Sequence, residues 1–457
     1  MRVSHGVSPQ FDDPNLVSLG GLLPVVGLAQ RCGLPELAGA RLTLRGQGSA
    51  NAPLKVSALV AGMVAGADSI DDMDVLRHGG MGRLFDQVRA PSTLGTFLRT
   101  FTFGHVRQLD AVAAGFLANL AAATPLLPGA DQVCFVDVDD TIRATHGYAK
   151  QGCGYGYSKV KGLNALLATV STPLAAPVIC ATRLRCGSTN SARGAARLVA
   201  DALATAAKAG ASGLRIVRAD SAYYTHDVVA AARRAGARFS VTARMNPAVT
   251  TAVASIADDS WTPIRYPQAI FDDAEQRWIS DAEVAEVGFT AFTSRRTADH
   301  VTARLIVRRV KRLNPSAADQ GELFAAYRYH AVFTDSPLSM LEAETCHRRH
   351  AIIEQVIADL KNGPLAHLPS GKFTANAAWL VLAAIAFNLT RAAGCAASGV
   401  HARATTATIR TQLIGVAARV ARSARRLVLH LPRDWPWETG WQRLFATACG
   451  PPRPAHP

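Results

Sequence analysis

A chain of 457 residues in which 49% are hydrophobic can build sizeable cores, which excludes wholesale disorder and suggests roughly two to four domains. Its 49 Lys+Arg against 34 Asp+Glu leave a formal charge of +15, and the pI is about 9.9, a balance that favours a polyanionic partner such as nucleic acid. The eight cysteines have no metal-ligand spacing and read as reduced thiols; the N-terminus lacks a signal-peptide shape and the apolar run Trp379 to Leu389 is too short to span a bilayer. A cytoplasmic protein without membrane association is expected.

Residues 1 to about 125 carry apolar residues at three- and four-residue spacing, in LVSLGGLLPVVGLAQ, VSALVAGMVAGA and VRQLDAVAAGFLANLA, which predicts an all-helical domain. Short helices and tight joints between Asp68 and Phe101 are compatible with a helix-turn-helix, with STLGTFLRTF as recognition helix and Ser92 as a cap for a helix beginning at Thr93. An ordinary helical packing domain is the alternative. From Val133 the pattern changes. Strands are predicted at 133–138, 163–170, 178–184, 214–217 and 239–242, with helices at 191–208 and 227–235, which makes an α/β sheet layered with helices. A β-rich insertion is predicted over about 244–335, then helices over 342–361 and 375–392. The tail from His401 to Arg433 carries seven arginines and no acid, and on a helix Arg419, Arg422 and Arg426 would share one face.

Three acidic positions stand out. The first strand runs into Asp137, Asp139 and Asp140; alternation puts Asp137 and Asp139 on one face, with Asp140 just past the strand end. Crowded carboxylates at a strand's carboxyl edge are relieved by a divalent cation, and hard oxygen ligands suit Mg²⁺. Asp220 also follows an apolar strand, where a helix cap is the bland alternative. Glu354, at the margin of the stripe Ile353, Val356, Ile357 and Leu360, would by itself be a solvated Glu facing Lys361 two turns on.

In order, FVDVDDT, TRLRCGSTNSARGA, VRADSAYY, HRRHAIIEQVIADLKNG and LPSGKFTANAAWLVLAAIAFNLTR resemble the DDE transposases of bacterial insertion sequences, in particular the insertion-sequence family numbered thirteen-eighty. The resemblance covers about residues 130 to 395. It implies an RNase H-like catalytic core over 126–395 with the β-rich insertion inside it, a DNA-end-binding helical domain over 1–125 and a basic helical tail over 396–457. It places the catalytic carboxylates at Asp139, Asp220 and Glu354, with Asp137 the runner-up for the first and a further candidate metal ligand. Two Mg²⁺ ions, replaceable by Mn²⁺ and about 3.5–4 Å apart, would be bridged by Asp139 and flanked by Asp220 and Glu354 for cleavage and strand transfer.

The implied partners are double-stranded DNA, as terminal inverted repeats and target, and a second copy of the chain on paired ends, in the bacterial cytoplasm at the nucleoid. Related transposases carry Tyr and Arg seven and four residues before the Glu and Lys seven after it; here those positions are His347, His350 and Lys361, so Arg348 and Arg349 are the substitute phosphate contacts. Lys159 and Lys161, in the loop between the first two strands, and Arg183 and Arg185, at the end of the third, are further DNA-contact candidates. Two rival readings remain. FVDVDDTI also resembles the signature of haloacid-dehalogenase-like phosphatases, with Asp137 as nucleophile, and a decayed DNA-binding relic would retain the same basic character.

Overall fold

The computed structural model describes residues 6–46, 48–145, 150–156, 159–265, 271–272, 277–278, 282–311, 327–423 and 426–450. They fall into two compact units, one of 1–126, 147–151 and 359–457 and one of 127–146 and 152–358.

The first unit is mainly helical. Helices Leu22–Arg31, Leu34–Arg41, Ala52–Ala65, Pro91–Arg99 and Phe103–Ala123 occupy its N-terminal part. The helix predicted from Thr93 starts at Pro91 with Ala90 as N-cap, so Ser92 lies inside it. Proline at the first helical position needs no N–H partner and has its φ preset, which makes it the stronger start signal. Its buried residues are Leu94, Gly95, Phe97 and Leu98.

The 25-residue helix Phe373–Ala397 also belongs to this unit. It exceeds the apolar run legible in the sequence and is long and apolar enough to cross a membrane by length and composition. It is buried over 89% of its most apolar window, and a helix apolar all round needs packing partners on every side. Here these include Phe103–Ala123 and Ala52–Ala65.

The tail differs from the helical prediction. Ala418–Ser423 and Arg426–His430 form an antiparallel hairpin, joined by Leu16–Val17 on the outer side of the first strand. Arg419, Arg422 and Arg426 therefore lie on strands, where the β-branched and apolar alternation of ARVARS and RLVLH outweighs the helical spacing of the arginines. Arg425 lies outside the described residues. Helix Glu438–Cys449 follows.

The second unit is built on one ten-stranded mixed sheet. Its main elements are β1 (Val133–Ala144), β2 (Lys161–Ser171), β3 (Val178–Cys186), α1 (Ala195–Lys208), β4 (Leu214–Ala219), α2 (His226–Arg234), β5 (Arg238–Thr242), β6 (Ala282–Ala291), β7 (Val301–Lys311), β8 (Tyr327–Thr334), α3 (Met340–Arg348) and the greater part of α4 (Ile352–Lys361), whose residues from Asp359 on count with the first unit. The strand order is β3-β2-β1-β4-β5-β8-β7-β6. β1, β2 and β3 are antiparallel neighbours, β4 runs parallel to β1 and β5 parallel to β4. The insertion strands β6 to β8 extend the sheet through the β8–β5 pair, so the β-rich insertion is continuous with the core sheet. It is preceded by a helix, Pro247–Ala254, capped by Asn246. Other parts of the predicted insertion lie outside the described residues.

Two further differences bear on the site. β1 does not stop near Asp139 but continues to Ala144, because β2 pairs with it through Gly162. The helix predicted over 342–361 is broken by a tight turn at Arg349–Ala351 into α3 and α4. Ser339 caps α3 in a reciprocal box with Glu342. Ala343 of α3 packs on Val284 and Ile306, and Cys346 on Phe135 and Ile216, so one short helix bridges the insertion strands and the β1–β4 pair.

Candidate active site

The site follows from one feature of register. Parallel pairing between β1 and β4 ends at Val138 opposite Ala219. Asp139 and Asp220 are the next residues on these adjacent strands, so the backbone delivers two carboxylates to one level of the sheet, where β4 ends and β1 runs on. Asp139 is half-buried and its Oδ1 accepts the Asp140 N–H at 2.7 Å. Burial, with the negative charges of Asp220 and Asp140, pushes its carboxyl up to about 6, although the Asp140 amide and His350 act the other way. Asp220 is exposed; its Oδ1 caps the following turn by accepting the Ala222 N–H at 2.9 Å. Arg244 holds that turn from outside, its Nε donating to the Ser221 carbonyl at 2.8 Å and its Nη2 to that of Ala222 at 3.3 Å.

Asp137 is withdrawn from this pair. Its side chain is fully buried, and its two oxygens accept from Arg218 Nε and Nη2 at 2.7 Å each. Arg218, directly across the β1–β4 register, also donates to the Cys346 carbonyl at 2.6 Å and lies over the Phe135 ring at 4.2 Å. His350 Nδ1 stands 3.2 Å from Asp137 Oδ1. Burial works against the Asp137 charge, yet Arg218 and His350 hold its carboxyl below the usual range. Asp137 is thus a structural ion-pair partner, a correction to its candidacy as first catalytic Asp and metal ligand.

Asp140 is equally engaged on the other face of β1. Its Oδ2 accepts from Asn164 at 2.8 Å and from Arg185, and its Oδ1 from Ser191 at 3.3 Å. Arg185 is buried and spends its remaining donors on Asn164 and on the carbonyls of Asn190, Ser191 and Arg193. Its place as a DNA contact is therefore corrected to a brace for Asp140. Arg183 pairs with Asp201 at 3.2 Å.

His347 and His350 explain the break between α3 and α4. His347 is buried between Ser240 (3.0 Å to Nδ1) and Thr242 (2.9 Å to Nε2) of β5, and His350 reaches Asp137 of β1. The two histidines pin the turn to the sheet. Burial, aided by His350 and Arg218, pushes His347 down to about 3. Glu354 follows one turn after His350, exposed on α4, while Ile353, Val356, Ile357 and Leu360 are buried as their spacing predicts.

Arg348 bonds Glu344 at 2.8 Å, and Arg349 is exposed. Lys361 closes α4, half-buried. Lys159 is exposed in left-handed conformation (φ 56°) at the turn before β2, and Lys161 begins β2 opposite Tyr155. Among the described residues no group of three or more His, Cys, Asp or Glu side chains is placed to hold a metal ion, so Glu354 does not join Asp139 and Asp220 in this structure.

Over residues 3–448 the chain matches the family Transposase DDE domain group 1. It is a member of that DDE transposase family. No curated protein matches it. Among solved structures it is similar to the piggyBac transposase of a synaptic complex with hairpin DNA, at 10% identity and a TM-score of 0.40 over 85% of this chain and 76% of that one. The phosphatase alternative fails on the site itself, since Asp137 is buried in an ion pair and cannot attack a phosphate ester.

Three residues around the candidate site escaped the sequence reading. Arg218 had a signal, as the more buried of two arginines in the strand LRIVRA, where charge is retained only if paired. Arg244 had none, because its partners are backbone carbonyls. Tyr223 was visible only as part of VRADSAYY.

Proposed function

We propose that this DDE transposase cuts DNA at the ends of a bacterial insertion sequence and joins them to target DNA, with Asp139, Asp220 and Glu354 as its metal-binding carboxylates. The single observation that carries the proposal is the in-register pair Asp139 and Asp220, with Asp139 raised by burial and by its acidic neighbours. A half-buried carboxylate facing a second one fits a divalent cation, whose charge relieves the repulsion. Mg²⁺, or Mn²⁺ in its place, would supply Lewis-acid activation of the attacking and leaving oxygens.

The chain's own residues do the rest. The sheet fixes Asp139 and Asp220 at one level, where β4 ends. The Asp137–Arg218 pair and His350 tether the turn that leads into α4 and its Glu354. Arg349, Lys159, Lys161, Lys361 and Arg348 are the basic residues offered to the phosphate backbone.

The order β3-β2-β1-β4-β5, with three antiparallel strands followed by two parallel ones, supports an RNase H-like core. The motif order supports the insertion-sequence family numbered thirteen-eighty, with paired terminal repeats held by a homodimer in the bacterial cytoplasm. The test is an excision assay on DNA carrying the ends that flank the gene. Mg²⁺ should produce cuts at both ends, EDTA should abolish them, and Glu354→Ala should bind the ends but leave them uncut. Normal cutting by a folded Glu354→Ala protein would remove that residue from the site.

A further inference from the structure

The short strand Gly154–Tyr155 pairs with the start of β2, Tyr155 opposite Lys161, and the Lys159 N–H donates to the Gly156 carbonyl at 3.0 Å. Residues 157 and 158 lie outside the described residues. Tyr155, between two glycines, is 67% exposed, and its side chain has no hydrogen-bond or ring partner among the described residues. A ring left in water adds little to the fold, because an aromatic side chain stabilises through burial. The hairpin that presents it is nevertheless closely packed at its base. A Cβ on Gly156 would stand 2.6 Å from the Gly187 carbonyl oxygen, and one on Gly162 2.2 Å from that of Arg143.

Register relates this ring to the carboxylates. The opposed pairs Asp139–Leu167, Thr141–Ala165 and Arg143–Leu163 of β1 and β2 share one face of the sheet. Lys161 is the next residue of that face on β2, and Tyr155 stands opposite it. Asp139, Arg143, Lys161 and Tyr155 therefore lie on the same face, and the stretch between Asp139 and Tyr155 on these strands holds cations but no acid. Lys161 is six residues along β2 from Leu167, the partner of Asp139. At about 3.3 Å per residue that is about 20 Å. One strand of DNA covers the same span in about six nucleotides, at about 3.4 Å each. An exposed ring beside a lysine suits DNA, whose base stacks on the ring while its phosphate meets the ammonium.

We infer that Tyr155 stacks on a base of bound DNA about six nucleotides from the phosphate presented to Asp139 and Asp220, with Lys161 on an adjoining phosphate. The inference rests on the DNA-cutting reading above and adds a base-contacting residue to it.

The test uses the full-length chain and DNA carrying the ends that flank the gene. Tyr155→Ala should weaken binding of that DNA about tenfold, and Tyr155→Phe, which keeps the ring, should bind as the unmodified chain does. The slope of log affinity against log salt should stay the same in Tyr155→Ala, because no phosphate contact is lost, and become shallower by about one in Lys161→Gln. A shallower slope in Tyr155→Ala would show that the hairpin had shifted with its lysines, and overturns the stacking role. Unchanged affinity in Tyr155→Ala, or Tyr155→Phe as weak as Tyr155→Ala, overturns it as well. The unmodified chain supplies a second readout that needs no variant to fold. With 5-iodouracil placed singly at about three to nine nucleotides from the cut in either strand, irradiation should crosslink Tyr155, identified by peptide mass spectrometry; no crosslink to Tyr155 from these positions overturns the inference. Unmodified protein that does not bind the end DNA overturns the end-cutting reading and this inference with it, whereas end binding that ignores Tyr155→Ala overturns this inference alone.

Discussion

Asp137 and Arg218 show how a residue's neighbours set its role. Both sit in buried strands, paired across the β1–β4 register with side-chain exposures of 0% and 1%. Removing one partner strands a charge in the interior, which costs about 3–5 kcal/mol, whereas replacing both with apolar residues is far milder. Arg218→Met should therefore lower the unfolding free energy from urea titration by that order, with a lower midpoint, and Asp137→Leu added to it should recover most of the loss. An unchanged midpoint in Arg218→Met would contradict the ion pair as a structural element. Asp139, two residues on along the same face, has no salt-bridge partner among the described residues, and this contrast separates the anchor from the candidate ligand.

At the scale of elements, the approach of β2 to its neighbours depends on small residues. A Cβ on Gly187 would stand 2.0 Å from the Gly162 carbonyl oxygen and 2.4 Å from that of Gly154. Both are backbone atoms, so the end of β3 and the short strand Gly154–Tyr155 would have to separate. Gly187→Ala should cost about 1–3 kcal/mol as an overpacked site. It should raise amide exchange first around Gly154 and Gly162; exchange unchanged there would show that the crowding is relieved at no cost. The same hairpin carries Lys159 and Lys161, which the proposed function sets against DNA, so on that proposal end binding should weaken alongside. The α3–α4 break is the other decision at this scale. Helical periodicity continues across HRRHA, and the histidines override it because β5 and β1 offer them partners.

Across the whole molecule, acid should destabilise the fold through His347. Its ordinary value of 6.5 falls to about 3 in the folded chain, chiefly by burial. The unfolded chain then binds a proton below 6.5 that the folded chain refuses until about 3, so stability falls as pH drops through that window. Asp137, held low by Arg218 and His350, adds a loss in the same direction at the acid end. His347→Gln should flatten the stability slope between about 3 and 6.5, as measured by urea unfolding across pH; an unaltered slope would show that His347 is not the group responsible.

Much of this was legible in the linear chain. Apolar runs bounded by polar residues marked the five core strands and both intervening helices, because burial on both faces leaves a compact, local signature. Acids set after apolar runs made Asp139 and Asp220 legible as candidates, and the ordered motifs resemble those of the DDE transposases, the family the chain belongs to. The tertiary structure decided what depends on pairing between distant segments. Asp137 and Asp139 look alike in FVDVDDT, and only the register with Arg218 separates them. The arginines of the tail fit a helix by spacing, yet a neighbouring strand and Leu16–Val17 made them a sheet. Hydrogen bonds across a sheet join residues with no fixed separation along the chain, so local pattern names the elements while only the folded packing assigns partners to their charges.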